Sequence, residues 1–230
     1  MAGKVNEVKN ENRTLSVVIP ALDAAESLHC TLAALGRVEI VVVDGGSQDA
    51  TVAVARVHGA RVVAASRGRG IQLAAGVAAT RGEWLLLLHA DTVLAPGWRA
   101  AAEAHMESGA GRAAYFRFVL DSADPRARPL ERRVAMRCRA LGLPYGDQGL
   151  LISRALLDAV GGVRPLPLME DVDLVRRLGR ARLAALPVDA VTSAARWEQH
   201  GWRWRSLRNL GCLALWFAGV PPRTIARLYG

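Results

Sequence analysis

The chain has 230 residues, is 51% hydrophobic and carries a formal net charge of +9. That is enough apolar material to bury one sizeable core with an appendage. Cys30, Cys138 and Cys212 are odd in number and far apart, which excludes a disulfide framework or a zinc spacing and suits a reducing cytosol. The polar, charged residues 1–14 predict a loose tail and no signal peptide. The apolar stretch 210–220 is too short to span a bilayer, so a cytoplasmic location is expected. The charge excess is mostly arginine and lies largely in the second half. It reads either as a solvated basic face or as a surface for anionic partners.

In chain order, 15–19 and 39–43 are short β-branched runs, each followed by turn residues and a helical pattern. Residues 61–65 and 83–88 read as two further strands, and helices fit 23–36, 49–58, 70–80 and 97–107. This alternation predicts an α/β fold with a Rossmann-like, mostly parallel sheet flanked by helices. After residue 110 the rhythm changes. Residues 113–120 read as a strand that pairs antiparallel. Residues 125–141 form a basic amphipathic helix carrying Arg126, Arg128, Arg132, Arg133, Arg137 and Arg139. A short strand at 149–152 precedes a helix at 154–160 that ends at Gly161-Gly162. Another helix is expected at 170–178 and a last strand at 182–191. From Arg196 the chain reads as helical, broken at Pro221-Pro222. The expected organisation is therefore a tail over 1–14, a main domain over 15–195 and a helical extension over 196–230.

The run Leu85-Leu86-Leu87-Leu88-His89-Ala90-Asp91-Thr92 is the most informative segment. Four leucines predict a strand buried on both faces, and it stops at two groups that can ligate a metal. In an open parallel sheet ligands sit at the carboxyl ends of strands, and one carboxylate with water and phosphate is a usual magnesium arrangement. The bland alternative is that Asp91 caps a turn, which leaves His89 unexplained. In Pro20-Ala21-Leu22-Asp23-Ala24-Ala25-Glu26, the pair Asp23 and Glu26 reads as a helix cap, while the loop 20–23 leaves a strand end where its backbone can hold a ring or ribose. Asp44, at the end of a buried strand, needs a donor partner, for which a base N–H or a ribose hydroxyl is a candidate. Gly45-Gly46 permit close approach, and Ser47 reads as a cap for the next helix. Ser66-Arg67-Gly68-Arg69-Gly70-Ile71-Gln72 is a loop whose backbone N–H groups and guanidinium suit phosphate. It is neither a GxGxxG fingerprint nor a Walker loop. Last, Glu170, Asp171 and Asp173 crowd the start of a helix. The helix end favours such anions structurally, and an ionised carboxylate there can also take a hydroxyl proton. Gly146-Asp147-Gln148 is a polar loop that can sit beside it.

Together, SVVIPALDAAESL, EIVVVDGGSQDAT, GRGIQLAAGVAATRGEWLLLLHADT and YGDQGLLISRALLDAVGG with MEDVDL resemble the family 2 glycosyltransferases of the GT-A fold, in the expected order over residues 15–178. The HADT form, GRGxQ and GDQG followed by MED resemble a bacterial subfamily encoded beside radical-SAM or selenium-related genes. The resemblance implies that Pro20, Ala21, Leu22, Asp23, Glu26, Asp44, Gly45 and Ala90 hold the donor nucleotide, with Arg69 and Gln72 near its ribose and diphosphate. It implies Asp91 as the residue for Mg²⁺ or Mn²⁺, Asp171 as the catalytic base with Glu170 beside it, and Gly146, Asp147 and Gln148 on the acceptor side. The chain departs from the family's Asp-x-Asp motif by placing His89 at the first position, and it lacks the Gln-x-x-Arg-Trp motif of processive synthases.

The implied activity is inverting transfer from a nucleotide diphosphate sugar, such as a UDP-sugar, to a hydroxyl acceptor. A sugar nucleotidyltransferase would need a glycine-rich loop with a lysine near the first strand, and 20–26 offers none. A non-catalytic nucleotide- or membrane-surface-binding protein is a third reading. Its support is the basic helix and the tail, where Trp197, Trp202, Trp204 and Trp216 lie among Arg196, Arg203, Arg205 and Arg208. That mixture suits an anionic membrane surface, with peripheral attachment at its inner face, or packing of the tail on the core. No nucleic-acid motif supports a nucleic-acid partner.

Overall fold

The computed structural model describes residues 14–109 and 111–229, so the expected tail 1–14 lies, but for Thr14, outside the described residues. The first half follows the predicted alternation: β1 (Leu15–Ala21), α1 (Ala25–Leu35), β2 (Glu39–Asp44), α2 (Thr51–Val57), β3 (Arg61–Ala64), α3 (Arg69–Ala79) and β4 (Trp84–Leu87). A strand not anticipated, β5 (Thr92–Leu94), follows directly, then α4 (Trp98–Ser108), β6 (Ala113–Asp121) and α5 (Ala127–Leu141). A 3-10 turn at Gly146–Gln148 leads to β7 (Leu150–Ser153), α6 (Arg154–Ala159), α7 (Glu170–Leu178) and β8 (Leu183–Ser193). The chain ends in α8 (Ala195–His200), α9 (Trp202–Phe217) and α10 (Pro222–Tyr229), with the break where Pro221-Pro222 cannot continue a helix.

One eight-stranded sheet runs in the order β3-β2-β1-β4-β7-β6-β8-β5. β1 to β4 pair in parallel, whereas β7 is antiparallel to both β4 and β6. β6 therefore pairs antiparallel as predicted, and it also pairs parallel with β8 along its other edge. Residues 92–94 did not read as a strand because they are too short for a period-2 pattern. They are held by Thr92, Val93 and Leu94 pairing with Thr192, Val191 and Ala190 of β8.

Leu85 to Leu88 are all buried, and they alternate between two cores. Leu85 and Leu87 face the layer that includes Leu73 of α3, Cys138 of α5 and Leu174 of α7. Leu86 and Leu88 face the layer that includes Leu32 of α1 and Trp98 and Ala102 of α4. A strand covered on both sides needs no polar face, which is why its sequence is a continuous apolar run. The parallel strands end together, so the loops after β1, β2 and β4 emerge along one edge of the sheet, where α3, α7, α8 and α9 close around them.

Candidate functional site

The loops after β1 and β2 are laced together by their own polar groups. Asp23 sits in the left-handed region (φ 46°). Its Oδ1 accepts from the Gln48 N–H at 2.8 Å, and its own N–H donates to Ser47 Oγ at 3.0 Å. The N–H groups of Ala24 and Ala25 donate to Thr51 Oγ1 and Asp49 Oδ2 at 2.8 and 3.0 Å. The capping reading of Asp23 with Glu26 is thereby corrected: positive φ turns Asp23 toward the neighbouring loop, and that loop caps α1. Glu26 stays exposed in the first turn of α1. Ser47 does not cap α2 either; the Thr51 N–H donates to Asp49 Oδ1 at 2.9 Å. Asp44 is buried and finds its donors locally, accepting from the Gly46 N–H at 3.1 Å and the Ser47 N–H at 3.2 Å.

Gln72 is buried beneath this loop. Its Nε2 donates to the carbonyls of Ala21 and Val43, both at 2.8 Å, and its Oε1 accepts from the Gly68 N–H at 3.4 Å. Gln72, expected beside ribose and diphosphate, pins the ends of β1 and β2. Gly45 lies over it, where an added Cβ would come within 3.0 Å of Nε2. The loop Gly68–Gly70 does not cradle an anion through those two glycines' amides. The Gly70 N–H donates to the Leu166 carbonyl at 3.0 Å. A Cβ on Gly70 would also collide with the Arg164 and Leu166 carbonyls at 2.5 Å, so this glycine seats the segment that enters α7. Ala90 is buried, its carbonyl accepting from Thr31 Oγ1 at 2.9 Å. Pro20 and Ala21 are buried at the end of β1, with Leu22 half-buried beyond them.

Opposite this loop system the polar groups are charged and only partly satisfied. Arg69, at the start of α3, points Nη1 at His89 Nε2 (3.3 Å) and Nε at Glu170 Oε1 (3.6 Å). A guanidinium only donates, so in the contact with His89 it is the ring nitrogen that accepts. Gly146 packs against the same imidazole, since a Cβ there would lie 2.4 Å from His89 Nε2. The Gly146 N–H donates to Asp171 Oδ2 at 2.9 Å, and the Val172 N–H donates to Asp171 Oδ1 at 2.7 Å. Asp171 is therefore aimed by backbone from two elements. Met169, just before it, adopts φ 66°, uncommon for a residue with a side chain. Its carbonyl accepts the first helical bond of α7, from the Asp173 N–H at 2.9 Å. Asp173 belongs to the fold, ion-paired to Arg164 and Arg177 at 3.0 and 2.7 Å.

Glu170 is 2% exposed, and neither of its oxygens meets a hydrogen-bond donor in good geometry. Burial pushes its carboxyl up to about 7, against the pull of Arg69 and with the help of Asp171. Burial likewise pushes Asp147 up to about 6; Arg137 opposes this, and Asp171 and Asp91 add to it. Asp147 Oδ1 also lacks a hydrogen-bond partner. Gln148, expected on the acceptor side, is buried and spent on the fold: Nε2 donates to the Phe116 carbonyl at 3.1 Å and Oε1 accepts from the Tyr145 N–H at 3.3 Å.

Arg69, His89, Asp91, Asp147 and Asp171 line one cleft that is open to solvent. Its far wall comprises Thr192, Trp197, Arg205, Asn209 and Cys212, from β8, α8 and α9. Sequence reasoning missed Thr192, Arg205 and Asn209 as site residues. No local pattern marks them, because they reach the cleft only through the pairing of β8 and the return of the tail. Thr192 Oγ1 donates to the Asp147 carbonyl at 3.1 Å and stands 3.1 Å from Thr92 Oγ1. The strand pair that escaped prediction thus supports the acidic turn. Among the described residues no three His, Cys, Asp or Glu side chains converge as a ready-made metal cage.

A parallel half-sheet with loops at its carboxyl edge, joined to a mixed half that brings carboxylates to the same edge, is the GT-A glycosyltransferase architecture. The family model for glycosyl transferase family 2 matches residues 16–162, and the chain belongs to that family; it is a family 2 glycosyltransferase. Among solved structures it is similar to glucosyl-3-phosphoglycerate synthase from Mycobacterium tuberculosis in complex with Mn²⁺ and UDP-glucose. That match has 23% identity and a TM-score of 0.56, covering 79% of this chain and 70% of that one. The same enzyme in complex with phosphoglyceric acid matches at 24% identity and a TM-score of 0.55, covering 79% and 71%. A further mycobacterial protein matches at 24% identity and a TM-score of 0.57, covering 79% and 66%. No curated protein matches the chain. At these identities the structural likeness establishes the fold.

Proposed function

We propose that the chain moves a sugar from a UDP-sugar to the hydroxyl of an acceptor, with inversion at the anomeric carbon. The observation that carries this reading is the meeting of Asp91, Asp147 and Asp171 with Arg69 in one cleft beside the β1 and β2 loops. The UDP-glucose and Mn²⁺ bound by the similar mycobacterial synthase give it a first donor to test. The loop 20–23, Glu26, Asp44, Gly45 and Ala90 frame the nucleotide. Most of their polar groups are already fixed, so the loop is preorganised and contacts the donor largely through backbone and shape. Asp171 takes the acceptor hydroxyl proton as the new C–O bond forms and the bond to the diphosphate breaks. Its two backbone amides hold it in place for that step. Glu170 and His89 hold Arg69 where it faces the leaving diphosphate.

The residues fit a hard divalent ion, Mg²⁺ or Mn²⁺. Asp91 offers a carboxylate oxygen with Asp147 nearby, and the missing protein ligands leave coordination positions for diphosphate and water. Bound there, such an ion offsets charge on the leaving group. His89 Nε2 is engaged by a guanidinium, so the ion falls to Asp91 and His89 serves Arg69 instead. The acceptor enters along the α8–α9 wall, over the turn Gly146–Gln148.

A thermal-shift screen of nucleotide sugars with and without Mn²⁺ tests the reading. UDP-glucose or another UDP-sugar is expected to raise the melting temperature, and more so with metal. Absence of stabilisation by every nucleotide sugar overturns it.

A further inference from the structure

The helix α9 is inverted for a surface helix. Its inner face carries polar groups into the cleft, Arg205 and Asn209, while its outer face is apolar. Trp204 is 66% exposed, Leu207 63%, Leu210 62% and Phe217 51%. Gly211, Ala214 and Ala218 fill the same outward arc, and Arg203 is the charged residue in it. A helix on a globular surface normally turns its polar side to water, and a continuous exposed apolar stripe marks an interaction surface.

Cations bracket the stripe. Arg203 stands at its start, and the Arg176 guanidinium lies 4.8 Å from the ring of Phe217 near its end. On α10, which packs against α9, Arg223, Arg227 and Leu228 are exposed. Across 196–230 the sole acidic residue is Glu198, against Arg196, Arg203, Arg205, Arg208, Arg223 and Arg227. No described helix is long and apolar enough to cross a membrane. A helix of 16 residues is about 24 Å long and about 10 Å wide. Its outer face is apolar along that length and basic at both ends. It matches a helix lying in a lipid headgroup layer, with tryptophan and leucine inward and arginine on the phosphates.

We propose that the outer face of α9 docks the protein on an anionic bilayer surface. Trp204, Leu207, Leu210 and Phe217 enter the interface, and Arg203, Arg176 and the α10 arginines pair with headgroup phosphates. The cleft, lined by the opposite face of the same helix, then opens beside the headgroups. The inference stands on this surface and not on the sugar-transfer reading.

Co-sedimentation of the full chain with phosphatidylcholine vesicles, with and without phosphatidylglycerol, tests it. Binding is expected only with the anionic lipid and is expected to weaken with salt. The double variant Leu207→Asp/Leu210→Asp should lower the partition coefficient by about a hundredfold or more, with an unchanged circular dichroism melt. Quenching of tryptophan emission by brominated lipid should fall in Trp204→Phe. Equal binding by the aspartate variant, equal binding to neutral vesicles, or a concentration-dependent dimer lost in the same variant overturns the proposal. The UDP-glucose thermal shift should be the same in both proteins. If neither is stabilised by any nucleotide sugar, the sugar-transfer reading fails while the vesicle result still decides this one.

Discussion

The β1–β2 loops and the charged cluster near them are built on opposite terms. In the loops the polar groups are settled among themselves: Asp23, Asp44, Asp49 and Gln72 all spend their oxygens on backbone N–H groups. Around α7 and the turn Gly146–Gln148, Glu170 is buried with both oxygens lacking hydrogen-bond partners, and half-buried Asp147 has one such oxygen, Oδ1. Burial without partners is costly, and that cost is concentrated where carboxylates and Arg69 meet. The contrast separates a preformed cradle from a charged working surface. Substitutions in the first should act through structure, and those in the second through chemistry and pH.

Asp171→Asn is the strongest test of the contrast. It should lower kcat by about 10²- to 10⁴-fold while leaving the donor-induced thermal shift in place; near-normal turnover would remove Asp171 from its role. Glu170→Gln should act through pH. A carboxyl raised to about 7 in the fold contributes stability that is full below its ordinary value of 4.5 and is lost as pH rises through about 7. The glutamine variant should therefore flatten the dependence of melting temperature on pH and gain up to about 3 kcal/mol relative to wild type at pH 8. A parallel pair of curves would show that Glu170 is not strained. Asp91→Ala should make donor stabilisation the same with and without Mn²⁺, where the wild-type protein at a donor concentration near 100 times Kd gains about 2.7 kcal/mol in all; an unchanged metal effect would place the ion elsewhere. Gln72→Leu should cost about 1 to 2 kcal/mol in chemical denaturation by removing the amide's bonds to the Ala21 and Val43 carbonyls, and should raise the donor KM more than it lowers kcat. A pure kcat loss would mean that Gln72 touches the reaction after all.

The parallel half was legible because its signals are local. Apolar runs, turn residues and an acidic residue at a strand end lie within a few positions of one another, and β1 to β4 formed where expected. The acidic turn and α7 were legible as chemistry-bearing segments that can sit side by side, but the hydrogen bond that joins them was not. The contact between Gly146 and Asp171 joins residues 25 apart, and the family match stops at residue 162. β5 was missed because its stability resides in β8, 100 residues later along the Thr92–Thr192 pair. Gln72 and Gln148 are placed near ligands by the family resemblance, and a polar residue in a loop motif gives no sign of which carbonyl it will find; the folded backbone adds that their amides hold Ala21, Val43 and Phe116.

The close seating of Gly146 on His89 makes two distant positions one unit of inheritance. A side chain at 146 needs the room that the imidazole fills, and a small acid at 89 leaves that room vacant. Changing either residue alone, as Gly146→Ala or His89→Asp, should disturb Arg69, whereas the double substitution should recover part of each loss. The expected coupling in a double-mutant cycle is about 1 kcal/mol. Drift at residue 89 is therefore constrained from the opposite side of the sequence, and any attempt to restore an acidic pair before Thr92 has to begin by rewriting the glycine turn.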